Sequence, residues 1–244
     1  MPNRSRALLV ASVLVIAVAI GVVSTCFRAS GAKTSPIVAN APAKSLKAER
    51  PVSSLFDPAL ASALLDDSKR DSWQMPARIV AELHLGKGEA VADIGAGSGY
   101  LMRYLSRAVG PQGCVFAEEI QPDYLPALHR RAKQAGNVRV VLGNVIDPNL
   151  PARSVDCFVL LTVYHEVEHP VEFLSTLRRS ARTNARLAII DFDAGRHGTP
   201  PAPDGHEIAE ATVIAEAKRA GWEVAERHDF LSSQFYLVFR HARK

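Results

Sequence analysis

Hydrophobic and polar positions along the chain switch repeatedly between two periods. Short apolar runs at Val91–Ile94, Cys114–Ala117, Val138–Leu142 and Val155–Val163 read as strands, the last a long one. Runs without polar alternation are what strands buried on both faces require. Between them lie segments with apolar residues three and four apart, which is helical spacing. The pattern predicts helices over 72–85, 98–108, 123–134, 171–182 and 207–220, with a further strand at Arg186–Asp191. Gly110-Pro111, Gly136 and Gly221 end three of the helices. Two last strands, 222–228 and 234–240, have no helix between them and are expected to pair as a hairpin. A shorter helix over 60–69 is expected, opened by Asp57-Pro58. No internal repeat is evident.

Strands that alternate with helices at this spacing predict an α/β fold of the Rossmann-like, doubly wound type. Its seven-stranded sheet should be mostly parallel and end in a C-terminal antiparallel hairpin. In such sheets ligands bind beyond the carboxyl ends of the strands, where the strand order reverses. Asp93, Glu119, Asn144, His165 and Asp191 all fall at or near strand ends, which predicts a single site.

The first strand runs directly into Gly95-Ala96-Gly97-Ser98-Gly99-Tyr100. Glycine tolerates positive φ and has no Cβ to hold a ligand away from the backbone. This turn, with Asp93 as a fixed acceptor, is therefore the candidate cradle for a nucleotide-like cofactor. Glu119 ends the next strand, about two dozen residues on, where a carboxylate can accept both hydroxyls of a ribose. Glu118 competes for that role.

Composition changes the picture mainly at the N-terminus. Arg4 and Arg6 precede an uncharged, apolar run over 7–27, long enough to cross a bilayer or to form a signal-peptide core. Three fates fit this run: cleavage after Ala32, lipid attachment at Cys26, or retention as an anchor. Thr25 is bulky for the lipid-anchor cleavage position. Basic residues flank both sides, so they do not fix which face of the membrane the rest of the chain occupies. Residues 30–56 are rich in Ala, Pro, Ser and Lys and read as a flexible linker. The expected organisation is thus a membrane-directed segment over 1–29, a linker over 30–56 and one globular domain over 57–244.

The chain's 244 residues carry a formal net charge of +4 without a dense basic run interleaved with aromatics, so nucleic-acid binding is not indicated. Three cysteines give no disulfide framework. Cys114 and Cys157 would sit two strand spacings apart, about 9.5 Å, too far to bond to each other, and both are read as buried free thiols.

His165-Glu166-Val167-Glu168-His169 matches H-E-x-x-H, a zinc hydrolase signature that works only on a helix. Here it follows a strand, and Pro170 disfavours helical geometry at His169. No metal is therefore assigned. His165 is instead the candidate general base, since imidazole titrates near neutral pH, with Glu166 orienting it and His206 lining an acceptor pocket. Trp73 and Gln74 are candidates to close over the cofactor, against the commoner fate of a core Trp.

Val91-Ala92-Asp93-Ile94-Gly95-Ala96-Gly97-Ser98-Gly99-Tyr100 resembles the first motif of class I S-adenosylmethionine-dependent methyltransferases. Glu119-Ile120-Gln121-Pro122 resembles their acidic second motif, and Gly143-Asn144-Val145 their third. The resemblance runs from about Arg70 to the C-terminus and is nearest to bacterial small-molecule enzymes akin to the ubiquinone and menaquinone C-methyltransferases. It implies S-adenosylmethionine as cofactor and a small-molecule or lipophilic acceptor. It further implies that Asp93, Gly95, Ala96, Gly97, Gly99 and Tyr100 surround the methionine part. Glu119 and Ile120 would meet the ribose, and Asn144 and Val145 the adenine. The third motif more often has Asp than Asn. A dinucleotide oxidoreductase is the rival on the same fold. Its G-x-G-x-x-G fingerprint is not met, because the third glycine comes one residue early.

Overall fold

A computed structural model describes residues 69–242. The expected N-terminal segment, the linker and nearly all of the helix over 60–69 lie outside the described residues. Among the described residues, no helix is long and apolar enough to cross a membrane.

The chain forms α1 (Arg70–Gln74), α2 (Pro76–Glu82), β1 (Ala90–Ile94), α3 (Met102–Val109), β2 (Cys114–Glu119) and α4 (Leu125–Ala135). There follow β3 (Val138–Leu142), β4 (Val155–Leu161), α5 (Pro170–Ser180), β5 (Ala181–Phe192), α6 (Glu210–Arg219), β6 (Trp222–His228) and β7 (Gln234–His241). The sheet has seven strands in the order β3-β2-β1-β4-β5-β7-β6. Neighbours from β3 to β5 are parallel, whereas β7 runs antiparallel to both β5 and β6. The predicted doubly wound sheet and terminal hairpin are both present.

Every residue of β1 and β2 is buried, which is why their sequences show no polar alternation. Strand pleating still sorts them by face. Ala92, Ile94, Phe158, Leu160 and Leu187 pack with Phe173, Leu174 and Leu177 of α5 and Val213 of α6. Val91, Val115, Val159 and Ile190 face the other way, against Ile79, Val80, Leu105 and Val109 of α2 and α3. Because β1 leads outward to β2 and β3 on one side while β4 lies on its other side, the strand order reverses between β1 and β4. That places the crevice of the sheet at their carboxyl ends.

Several boundaries differ from the sequence reading. The single helix expected over 72–85 is two helices, because Met75 turns left-handed at φ 48° just before Pro76. Proline disfavours helical geometry at the residue before it and opens the second helix instead. The helix expected from Ser98 begins at Met102, since the glycine-rich turn occupies the intervening residues. Strand β4 stops at Leu161, and β5 starts at Ala181 directly after α5. Cys157 is a buried free thiol, whereas Cys114 is disulfide-bonded, which corrects the expectation of a free thiol there. The strands of Cys114 and Cys157 flank β1 on opposite sides.

Candidate active site

The turn after β1 is built for close approach. Gly95, Gly97 and Gly99 have φ of 66°, 53° and 86°. At Gly95 the need is also spatial, because a Cβ would stand 2.8 Å from both methyls of Val163 on the loop after β4. Two carboxylates at the end of β2 hold this turn from below. Glu118 Oε2 accepts from the Gly95 amide at 3.2 Å, and Glu119 Oε2 from the Gly97 amide at 2.8 Å. The other oxygen of Glu119 accepts from the amides of Ile120 and Gln121, at 2.8 and 2.9 Å.

Above the turn lies a cavity of about 420 Å³, within the usual range for small-ligand sites. Asp93, Gly95, Ala96, Gly97 and Tyr100 line it from β1 and its turn, and Glu118, Glu119 and Ile120 from β2. Asn144, Val145 and Glu166 close its far walls. Gly99 does not line it; a Cβ there would point at Leu128 and Met102. Asn144 Oδ1 accepts from the amides of Ile146 and Asp147, at 3.0 and 2.9 Å. The oxygen expected to meet an adenine amino group thus shapes the loop that the residue presents to the cavity.

Three carboxyls crowd the cavity floor, and burial, which disfavours the charged form, dominates all three. It raises Asp93 to about 7 against the opposing pull of Arg70, and Glu118 to about 8 despite the Gly95 hydrogen bond. Glu119 is raised too, although three backbone amides counter the effect. Asp93 Oδ2 and Glu118 Oε1 are buried without a hydrogen-bond partner among the described residues. Such atoms are costly unless a ligand or water supplies donors.

Arg70 is the charged residue that sequence reasoning missed. It is buried, lines the cavity, and stacks its guanidinium 4.0 Å above the Tyr100 ring. It also donates to Thr162 Oγ1 at 3.4 Å. The helix carrying it was expected to contribute Trp73 and Gln74, but neither lines the cavity. Trp73 packs 6.0 Å from Phe192, and Gln74 is fully buried, donating to Gln234 of β7 at 2.5 Å. An arginine one turn before the Trp-Gln pair was the available signal.

Tyr164–Glu166 form a 3₁₀ turn after β4, and α5 begins only at Pro170, so H-E-x-x-H does not lie on a helix. His165 is held by Asp191 at the end of β5 rather than by Glu166. Asp191 is fully buried; its Oδ2 accepts from the His165 amide at 3.0 Å, and its Oδ1 from the Phe192 amide at 2.9 Å. Both oxygens of Asp191 already act as acceptors for backbone amides, and His165 Nδ1 donates to Oδ1 at 2.9 Å. His165 Nε2 then faces His206 Nδ1 at 2.9 Å. Glu166 Oε1 completes the cluster, 3.7 Å from the first nitrogen and 3.6 Å from the second. Burial opposes charge on His165, but Asp191 and Glu166 outweigh it and hold the imidazole at about 9. Burial and the neighbouring His165 depress His206. The structure therefore brings all three expected acceptor-side residues together and adds Asp191.

Residues 91–184 match the family model described as a methyltransferase domain. A solved S-adenosylmethionine-dependent methyltransferase from Aquifex aeolicus is 29% identical, with a TM-score of 0.70 over 77% of this chain and all of that one. This chain carries a methyltransferase domain, and its similarity is to class I S-adenosylmethionine-dependent methyltransferases. The ubiquinone/menaquinone biosynthesis C-methyltransferase of Pseudomonas putida is 30% identical over 108 residues, 43% of this chain and 42% of that protein. The chain spans only 31–42% of the length of such curated relatives. A methyltransferase from Burkholderia thailandensis, solved with 1,6-didemethyltoxoflavin and S-adenosylhomocysteine bound, shares the fold. It is 20% identical, with a TM-score of 0.53, over 80% of this chain and 94% of its own.

The residues present fit the methyltransferase cofactor. Its positively charged sulfonium and ammonium groups suit a floor of three carboxyls, and its hydroxyls and amines are donors for Asp93 Oδ2 and Glu118 Oε1. The glycine turn leaves backbone at the cavity wall where its methionine part would lie.

Proposed function

We propose that this protein transfers a methyl group from S-adenosylmethionine to a small-molecule acceptor. The observation that carries the reading is the cavity whose glycine turn and buried Asp93, Glu118 and Glu119 meet at the strand-order reversal. When bound, the cofactor supplies a methyl group already activated on sulfur. The protein's task is then to bind, to orient and to exclude water.

In this reading Glu119 takes the ribose hydroxyls while its amide contacts keep the turn in shape. Asp93 and Arg70 flank the amino-acid end of the cofactor, and Asn144 and Val145 border the adenine. The acceptor's attacking atom enters from the side of Glu166, His165 and His206; His165 is held charged there by Asp191 and Glu166, and His206, whose pKa is lowered, is the imidazole placed to accept a proton. Likeness to a ubiquinone/menaquinone biosynthesis C-methyltransferase makes intermediates of ubiquinone and menaquinone biosynthesis the first acceptors to screen.

Calorimetric titration with S-adenosylmethionine and S-adenosylhomocysteine tests the reading directly. One site per chain with micromolar affinity is expected. No heat, and no thermal shift at saturating cofactor, would sink it.

A further inference from the structure

His165, Glu166 and His206 reach one point in space from two separate stretches, the 3₁₀ turn after β4 and the loop before α6. Their ligand atoms all lie within 4.8 Å of one another. The edges of the triangle are 2.9 Å between the two imidazole nitrogens, and 3.7 and 3.6 Å from these to Glu166 Oε1. Donors bound to one tetrahedral ion at about 2.0–2.2 Å stand roughly 3.3 Å apart. The observed edges bracket that spacing. We propose that these three side chains bind one divalent transition-metal ion of the zinc class, with its remaining coordination position opening toward the cofactor cavity.

Three features support the assignment beyond the spacing. With Nδ1 of His165 donating to the buried Asp191, Nε2 is the ring nitrogen that faces His206, and an ion here would replace the proton shared between the two rings. A carboxylate behind a ligating imidazole is the usual outer support of a metal site, since it fixes tautomer and ring direction. The donor set of two imidazoles and one carboxylate suits zinc and its first-row neighbours rather than magnesium or calcium, which prefer all-oxygen surroundings. Glu166 belongs both to the cluster and to the cavity wall, so an ion here would border the space where an acceptor must sit.

This is not the helical H-E-x-x-H arrangement. The third donor is His206, while His169 stands outside the cluster at the start of α5. The inference rests on the methyl-transfer reading for its chemical purpose. Three protein ligands leave a position for an oxygen of the acceptor, so the class of acceptor implied carries a phenolic or enolisable oxygen. A cation beside that oxygen lowers its pKa and favours the attacking anion.

The test uses the full-length protein purified without chelator. Elemental analysis should find one zinc-class ion per chain. After chelator treatment, titration with Co²⁺ should produce the intense visible absorption of a low-coordinate site, and Zn²⁺ should displace it. His206→Asn and Glu166→Gln should each weaken Co²⁺ binding at least about tenfold, whereas His169→Asn should leave it unchanged. His206 is on a partly exposed loop, so its variant is expected to retain the fold, with S-adenosylmethionine binding as the check. Absence of a stoichiometric ion together with no saturable Co²⁺ binding would overturn the proposal. So would unchanged Co²⁺ affinity in both cluster variants, or loss of the ion in the His169 variant alone. Metal binding without cofactor binding would sink the methyl-transfer reading and leave the metal site standing; cofactor binding without metal would do the reverse.

Discussion

Glu119 Oε2 accepts a hydrogen bond from the Gly97 amide at 2.8 Å, joining the last residue of β2 to the middle of the glycine turn. Its other oxygen accepts two further amides, so one side chain sets the shape of two loops that border the cavity. The residue proposed to bind the ribose therefore also shapes the loops around the cavity.

Replacing Glu119 by Gln removes one acceptor oxygen and its charge. S-adenosylmethionine affinity should fall about 10- to 100-fold, equivalent to roughly 1.4–2.7 kcal/mol. Stability should fall as well, by about 1–3 kcal/mol, because a buried amide loses its acceptor. Calorimetry and denaturant unfolding read the two effects separately. Loss of stability with cofactor affinity intact would show that the carboxylate only shapes the loops.

Gly95→Ala should destabilise the protein for two separable reasons. The φ of 66° costs about 1–2 kcal/mol for any residue with a Cβ, and the new methyl collides with Val163. The double variant Gly95→Ala with Val163→Ala removes the collision and leaves the backbone strain. Its unfolding free energy should recover only part of the loss, after correction for Val163→Ala alone. Full recovery would show that sterics, not backbone conformation, select glycine here.

Stability should depend on Glu118 in a defined pH window. Its carboxyl titrates near 4.5 when unfolded and near 8 when folded, so between these values the folded state holds a proton that the unfolded state has lost. Its contribution to stability is therefore highest at acid pH, declines as pH rises from about 4.5 to 8, and is level above. Asp93 acts in the same direction between 3.8 and about 7. Glu118→Gln removes the first of these contributions. The variant should match the wild type near pH 4.5 and exceed it by about 1–3 kcal/mol at pH 9. Chemical unfolding across that range measures the difference; a variant equally stable or weaker at pH 9 contradicts it.

Asp191→Asn should cost about 2–4 kcal/mol, because a fully buried acceptor of two amides and one imidazole loses an oxygen and its charge. Turnover, once an acceptor is known, should fall while S-adenosylmethionine affinity stays within about twofold, since Asp191 does not line the cavity. Equal losses in affinity and turnover would mean that the His165 cluster supports the cofactor rather than the acceptor.

Much of this molecule was written locally. Runs such as Val91–Ile94 and Val155–Leu161 carry their own signal, because a strand buried on two faces must be apolar throughout. Gly95, Gly97 and Gly99 announce a turn that only glycine adopts easily, and Glu119 follows at the end of the next strand, where it lines the same cavity. Local chemistry also argued against a helix through His165–His169, because Pro170 follows directly.

Tertiary structure alone decided which distant residues share a point. Asp191 orients His165 because β4 and β5 lie side by side in register, and His206 reaches them from a loop whose sequence carries no period. Arg70 lines the cavity while Trp73 and Gln74 of the same short helix pack against Phe192 and Gln234 instead. Hydrophobic period and turn chemistry act over a few residues; the partner of a buried polar atom is set by how strands and loops are brought together, and no short-range pattern encodes that.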